Sequence, residues 1–295
     1  MTQRLPVVKT PKVYVGGAFI RSESGRTYPI HESGGNGAAG KFFANIPQCT
    51  RKDLRNAVEA AAKAGPGWAK RTPYNRGQIM YRLGEMLEAR SAEMCNAIVR
   101  TAGGSKANAE REVAAAVDRL IYYAGWADKY EQVLGNTNAV AGPFFNFTVV
   151  EPMGIVGIIA DDSYPLLGLV SLIAPAIVSG NTVVALASQQ SPYPAIVLGE
   201  MLATSDLPGG VVNILTGFRA EMVPTFASHT HLRGISAVVN AEDKKTLALG
   251  AADSIKRLKA RSSDDAIDWL SDKAQSVYDI RDFCEFKTTW HPVGV

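Results

Sequence analysis

EPMGIVGIIADDSYPLLGLVSLIAPAIVSGNTVVALASQQSPYPAIVLGEMLATSDLPGGVVNILTG, residues 151–217, alternates short β-branched runs with longer apolar segments. The runs are Gly154 to Ala160, Asn181 to Ala187 and Val211 to Leu215. Strands buried on both faces read as continuous apolar runs, and the apolar segments between them have helical length, so the stretch predicts βαβα units of a parallel sheet. The fold class expected is α/β.

The residues themselves narrow this further. EPMGIVGII, the Tyr164-Pro165 step, APAIVSGNTVV, the Ser-x-x-Ser-Pro run from Ser188 to Pro192, and LPGGVVNILTG together resemble the cofactor-binding domain of NAD(P)-dependent aldehyde dehydrogenases, in order and at family spacing. The resemblance implies a helical N-terminal layer on a Rossmann-like sheet and extends over most of the chain. It also implies a dinucleotide site, and there the sequence departs from the family. The loop after the first strand carries in the family an Asn whose amide helps hold an oxyanion; here the position is Ser163, preceded by Asp161 and Asp162. A hydroxyl is shorter than a carboxamide, and one lost donor of this kind costs about 3 kcal/mol of transition-state stabilisation. The two carboxylates oppose any negative charge forming nearby.

After the second strand the family places a Lys and, three residues on, a Glu on the adenosine ribose; this chain has Leu186 and Gln189. Leucine donates no hydrogen bond, so the cofactor positions Ile159, Ser163, Leu186, Ser188 and Gln189 are expected to be vestigial, with NAD or NADP the cofactor if any binds. Where the family has a compact Thr-Gly-Ser-like turn, GISAVVNAEDKK puts the β-branched Val238 and Val239. The family's thiol and glutamate base belong to a further domain that residues 240–295 are too few to build. No catalytic residue is expected. Cys95 lies in an amphipathic run and reads as core, Cys49 sits in a polar turn before Thr50, and Cys284 is flanked by Asp282 and Glu285, the reverse of the electropositive setting an active thiol needs.

Working towards the N-terminus, Pro143 to Glu151 alternates, with Phe145, Phe147 and Val149 facing one way and Asn146, Thr148 and Val150 the other. In the family a hairpin here joins a neighbouring subunit and the last strand of the chain pairs with it; FCEFKTTWHPVGV resembles that last strand. An oligomer is therefore expected, either of this chain with itself or with a complete aldehyde dehydrogenase, through Phe145, Phe147, Val149, Phe286 and Trp290. The alternative is that both strands fold onto their own domain.

Before the hairpin, KVYVGGAFI predicts two short strands about Gly16-Gly17. Gly25 to Gly40 predicts a loop, in which GGNGAAG has the composition of a phosphate cradle without the strand-to-helix context. Thr50 with Asp53 predicts a capped helix ending at Pro66-Gly67, Pro73 opens a helix to about Thr101, and Ser105 begins one reaching Leu134. The rings of Tyr122, Tyr123, Trp126 and Tyr130 at helical spacing read as packing. After the sheet, Glu242 to Ala252 predicts a helix, Lys256, Arg257, Lys259 and Arg261 a solvated basic face, and Asp264, Asp265 and Asp268 a helix's first turn. His229 and His231 are two apart on a possible strand with no third metal ligand near in sequence.

The expected organisation is an N-terminal hairpin and helical layer over 1–138, an oligomerisation hairpin over 139–152, a Rossmann-like core over 153–240 and a remnant over 241–295 carrying the last strand, forming one compact unit. The thiol-bearing domain is expected to be missing, and within the family the chain most resembles the degenerate C-terminal module of aldehyde dehydrogenase family member 16. The implied role is non-catalytic, structural or regulatory; an active NAD(P)-dependent aldehyde oxidoreductase and a nucleotide-binding module without chemistry are the alternatives. With 31 basic and 28 acidic residues the net charge is only +3, and nucleic-acid binding has no support. An odd number of cysteines, three, and no apolar leader at the start fit a reducing, cytoplasmic setting without membrane association.

Overall fold

The computed structural model describes residues 9–34 and 39–294. Its centre is a seven-stranded sheet in which β7 (Ile155–Ile159), β8 (Thr182–Leu186) and β9 (Val212–Leu215) run parallel. On the other side of β7 lie β10 (Leu232–Val239) and β11 (Arg257–Ser262), also parallel. The hairpin β1 (Val13–Val15) and β2 (Ala18–Ile20) completes the sheet antiparallel to β9. Gly16 and Gly17 make its turn at φ of 63° and 86°, a region where glycine carries no Cβ penalty.

The helix α6 (Leu167–Val178) shows what such a core requires. Every one of its residues is buried, so its terminal N–H and C=O groups have no water to turn to. Other elements supply the partners. Glu112, on α4 (Lys106–Trp126), accepts from the backbone N–H of Leu166 at 2.9 Å and of Leu167 at 3.1 Å. At the far end Trp68 of α1 (Arg51–Ala69) donates through Nε1 to the Ile177 carbonyl at 2.9 Å, and Arg76 of α2 (Pro73–Ala89) through Nε to that of Val178 at 2.9 Å. The helical layer is thereby bonded to the sheet's own helix as well as packed on it.

Several local expectations change. Residues 25–40 are not one loop: β3 (Thr27–Ser33) pairs antiparallel with β4 (Ala39–Pro47), because Tyr28 and Ile30 alternate inward onto Ala44, Ile46 and Ile196. Of GGNGAAG, residues 35–38 lie outside the described residues. Asp53 caps α1, its carboxylate accepting from the Thr50 N–H at 2.7 Å, but the helix runs through Pro66 to Ala69, because the fully buried Trp68 gains more from its pocket than one missing hydrogen bond costs. The helix expected over 73–101 is two, α2 and α3 (Ser91–Thr101), divided at Arg90, whose guanidinium joins Glu93 to Glu200. The next helix likewise stops at Trp126 and resumes as α5 (Tyr130–Leu134). Tyr123 and Tyr130 are buried, as packing residues should be.

Following α7 (Tyr193–Leu202), α8 (Arg219–Ser228) and α9 (Ala241–Asp253), the chain after β11 corrects three readings. Asp264, Asp265 and Asp268 lie in turns, and the short helix is α10 (Val277–Arg281). The basic run is not a solvated face: Lys256 is buried with Nζ on the Ala227 carbonyl at 2.9 Å, Lys259 and Arg261 pair with Asp279, and Arg257 donates to the Cys284 carbonyl at 2.6 Å. Finally β12 (Cys284–Pro292) lies antiparallel on β6 (Phe144–Pro152) across nine residue pairs, and β5 (Asn136–Asn138) covers part of β6's other edge.

Candidate functional site

The strand order reverses at β7, since β8 follows it on one side and β10 on the other. In open parallel sheets the crevice outside the carboxyl ends of the strands at such a point is where ligands bind. Here it is a cleft of about 510 Å³ lined by Asp162, Gln189, Gln190, Arg219, Asn240, Glu242 and Asp243 among others.

Its polar groups are bonded chiefly to one another. Asp162 accepts from Ser188 Oγ at 2.7 Å and the Gln189 N–H at 2.9 Å, and pairs with Arg219 Nη1 at 2.9 Å. Arg219 also donates through Nη2 to the Ala160 carbonyl at 2.6 Å, and its own N–H goes to Gln189 Oε1 at 2.7 Å. Asp161, buried, accepts from Trp269 Nε1 at 2.7 Å and from the Ser163 N–H at 3.1 Å; the Ser163 hydroxyl donates to the same carboxylate. Ser163 therefore spends its donor inside its own loop.

The remaining cofactor positions give less. Ile159 and Leu186 are wholly buried in the sheet's apolar core, and Ser188 is used up between Asp162 and the Ser191 N–H. Val238 and Val239 stay in β10, buried, and the turn comes only at Asn240, whose side chain caps α9 by accepting from the Asp243 N–H at 2.8 Å. The first turn of α9 then carries Glu242 and Asp243 into the cleft lining. Burial pushes the Asp243 carboxyl up, with Arg219 opposing and Glu242 reinforcing the shift. A dinucleotide pyrophosphate placed here meets three carboxylates and one arginine already paired, so these residues do not fit NAD or NADP.

The thiols are equally unsuited to attack. Cys49 is buried rather than in a polar turn, and burial raises its pKa to about 12. Cys284 is buried with Sγ on the Ile280 carbonyl at 3.2 Å and pushed up to about 11, again by burial; burial raises Cys95 also. His229 caps the end of α8 and His231 follows in the turn before β10, not on a strand. Among the described residues no three His, Cys, Asp or Glu side chains are placed to hold a metal ion, and no helix is long and apolar enough to cross a membrane.

The expected contact residues of β6 and β12 fall on two faces. Directly paired residues of an antiparallel ribbon share a face, and the register sets Phe286 opposite Val150 and Trp290 opposite Asn146. Phe286 and Trp290 thus stand on the face opposite to Phe145, Phe147 and Val149. Neither face is fully covered: Phe145 is 48% exposed on one, and on the other Trp290 is 57% exposed although Asn146 and Val150 of the same face are buried. Alternation in β12 does not show as burial, because only Cys284 is covered.

Missed from the sequence were Arg219 and Trp269, the residues that neutralise or tie Asp162 and Asp161. An acidic pair in a loop after a buried strand was the available signal that partners must exist.

A largely parallel sheet with its crevice at the switch point, a helical layer and a projecting β-ribbon define a doubly wound α/β protein. The aldehyde dehydrogenase family profile matches residues 21–262, and the chain belongs to that family. Retinal dehydrogenase 2 of Gallus gallus is 33% identical over 244 residues, covering 81% of this chain and 46% of its own length. Omega-crystallin of Enteroctopus dofleini is 29% identical over 254 residues, 85% of this chain and 50% of its own. The fold also matches the NAD+ complex structure of aldehyde dehydrogenase from Bacillus cereus, with a TM-score of 0.80 at 24% identity over 86% of this chain and 51% of that one. The chain spans about half the length of the curated relatives it matches.

Proposed function

We propose that this chain is a non-catalytic member of the aldehyde dehydrogenase family, a structural or regulatory subunit that assembles with itself or with a complete aldehyde dehydrogenase through the β6–β12 ribbon. The observation that carries this is the internal bonding of the crevice, in which Arg219 Nε is the one buried side-chain donor without a partner among the described residues. Asp161, Asp162, Ser163, Ser188 and Arg219 bond to one another in the places where the family's resemblance puts oxyanion and cofactor contacts. The ribbon supports the second half of the reading, since apolar side chains on both of its faces need a cover that one domain can supply on one side only. This reading gives the chain the kind of role expected of the degenerate module of aldehyde dehydrogenase family member 16, which its sequence resembles.

Incubating the chain with NAD and a panel of short aldehydes tests the first half: no NADH is expected, and steady formation overturns the proposal. Light scattering after gel filtration, alone and with a complete aldehyde dehydrogenase, tests the second. A strictly monomeric chain that captures no such enzyme overturns it.

A further inference from the structure

A second cleft lies between α1 and α8 and shares Pro224 with the crevice. One face of α1 carries Arg51, Arg55, Val58 and Ala62, spaced at three to four residues, and Pro224, Thr225 and Ser228 of α8 face them. With Glu59 and the turn residues His229, Thr230 and His231 they enclose about 740 Å³, the size of a small-molecule site. Val58, Ala62 and Pro224 give it apolar lining, and Arg51, Arg55, His229 and His231 give it basic lining.

Glu59 is the one carboxylate in that lining. Arg55 leans 3.6 Å from Glu59, an exposed pair, while Arg51 has no ion pair among the described residues. The His231 N–H donates to His229 Nδ1 at 3.4 Å, which leaves Nε2 of the neutral ring to carry the proton as a donor. His229 is faced by Arg51, Arg55 and Glu59 of α1, by His231 with its ring 5.8 Å away, and by Lys256 ahead of β11. Its pKa is lowered first by burial and then by repulsion from His231, Lys256 and Arg51. A bound anion would relieve that repulsion.

We infer that the cleft between α1 and α8 binds a small organic anion, an apolar body seated on Val58, Ala62 and Pro224 with a phosphate, sulfonate or carboxylate head held by Arg51, Arg55 and the His229–His231 pair. The two arginines come from one helix turn and the imidazoles from another element, so the head is approached from two sides. This site uses none of the crevice's charged residues and none of the ribbon's.

Titration of the whole chain by calorimetry tests it, with benzenesulfonate, the neutral benzenesulfonamide and inorganic sulfate as probes at constant ionic strength. Benzenesulfonate is expected to bind at least about tenfold tighter than either of the others, since only it satisfies both the apolar and the basic lining. Its charge is fixed, so its affinity should rise as the pH falls and His229, held below its ordinary value, takes up a proton. Arg51→Ala and Arg55→Ala should each weaken binding by about fivefold or more, with Arg82→Ala, on the remote surface of α2, as the unchanged control. Equal binding of the charged and neutral probes, or full affinity in the Arg51→Ala/Arg55→Ala double variant, overturns the inference. His229→Gln should flatten the pH dependence without removing binding; an unchanged pH profile overturns the role given to that imidazole.

Discussion

The crevice beside β7 and the ribbon of β6 and β12 differ in what they leave without a partner. In the crevice, polar groups have found partners within the chain: each Asp162 oxygen is engaged, and Asp161 holds both Ser163 and Trp269. In the ribbon, Phe144, Phe145, Val149, Phe286 and Trp290 remain exposed although the backbone of the two strands is paired along nine residues. Internal hydrogen bonds remove a site's need for a ligand, whereas backbone pairing does nothing for the apolar side chains that stand off it. The difference teaches that satisfying polar groups and covering apolar ones are separate matters in this fold.

The comparison breaks first at the ribbon. Replacing Phe145, Phe286 and Trp290 together by Ser should raise the assembly's dissociation constant by about a hundredfold, read by sedimentation, because exposed aromatics of this kind are binding hot spots. The monomer's own unfolding midpoint should barely move, as these side chains are already in water. Asp162→Ala should do the reverse. It strands Arg219 and frees Ser188 and the Gln189 N–H, at about 2–3 kcal/mol by urea denaturation, with assembly intact. If that variant were as stable as the parent, the internal bonding of the crevice would carry no stability.

Smaller effects sharpen the contrast with the rest of the scaffold. Ile255 sits at φ 53° just past α9 and is 94% exposed, a β-branched residue in the left-handed region. Ile255→Gly should stabilise by about 1 kcal/mol in the same assay. The least effect is expected from Glu112→Gln. Burial raises the Glu112 carboxyl above its ordinary value, with the Leu166 and Leu167 N–H groups opposing, so the native state binds this proton more tightly than the unfolded chain. The stability it contributes is full below the unfolded pKa and is lost as pH rises through the folded one. The Gln variant keeps the acceptor without the charge. Its thermal midpoint should match the parent near pH 4 and exceed it increasingly at neutral pH.

Much of this was legible without coordinates. β-branched runs of five to seven residues announced β7, β8 and β9, Gly16-Gly17 announced the hairpin, and Thr50 with Asp53 announced the start of α1. Ser163 and Leu186 were legible as departures because residue type alone limits what each can donate. Helix ends were less so. Pro66 looked like a stop and was overruled by Trp68, whose burial depends on α6 more than a hundred positions away in sequence. The β3–β4 pair was hidden behind the glycine density of residues 34–40.

What the amino-acid order settled by itself was periodic: which segments alternate at two residues and which at three to four, hence the strands, the helices and the α/β class. That information is local, because side-chain direction repeats within each element. Which polar group meets which was settled only in three dimensions. Asp162 meets Arg219, Glu112 caps α6, and the β6–β12 register sends Phe145 and Trp290 to opposite faces. A buried charge must take whatever partner the packing brings within about 3 Å, and no spacing along the chain encodes that distance.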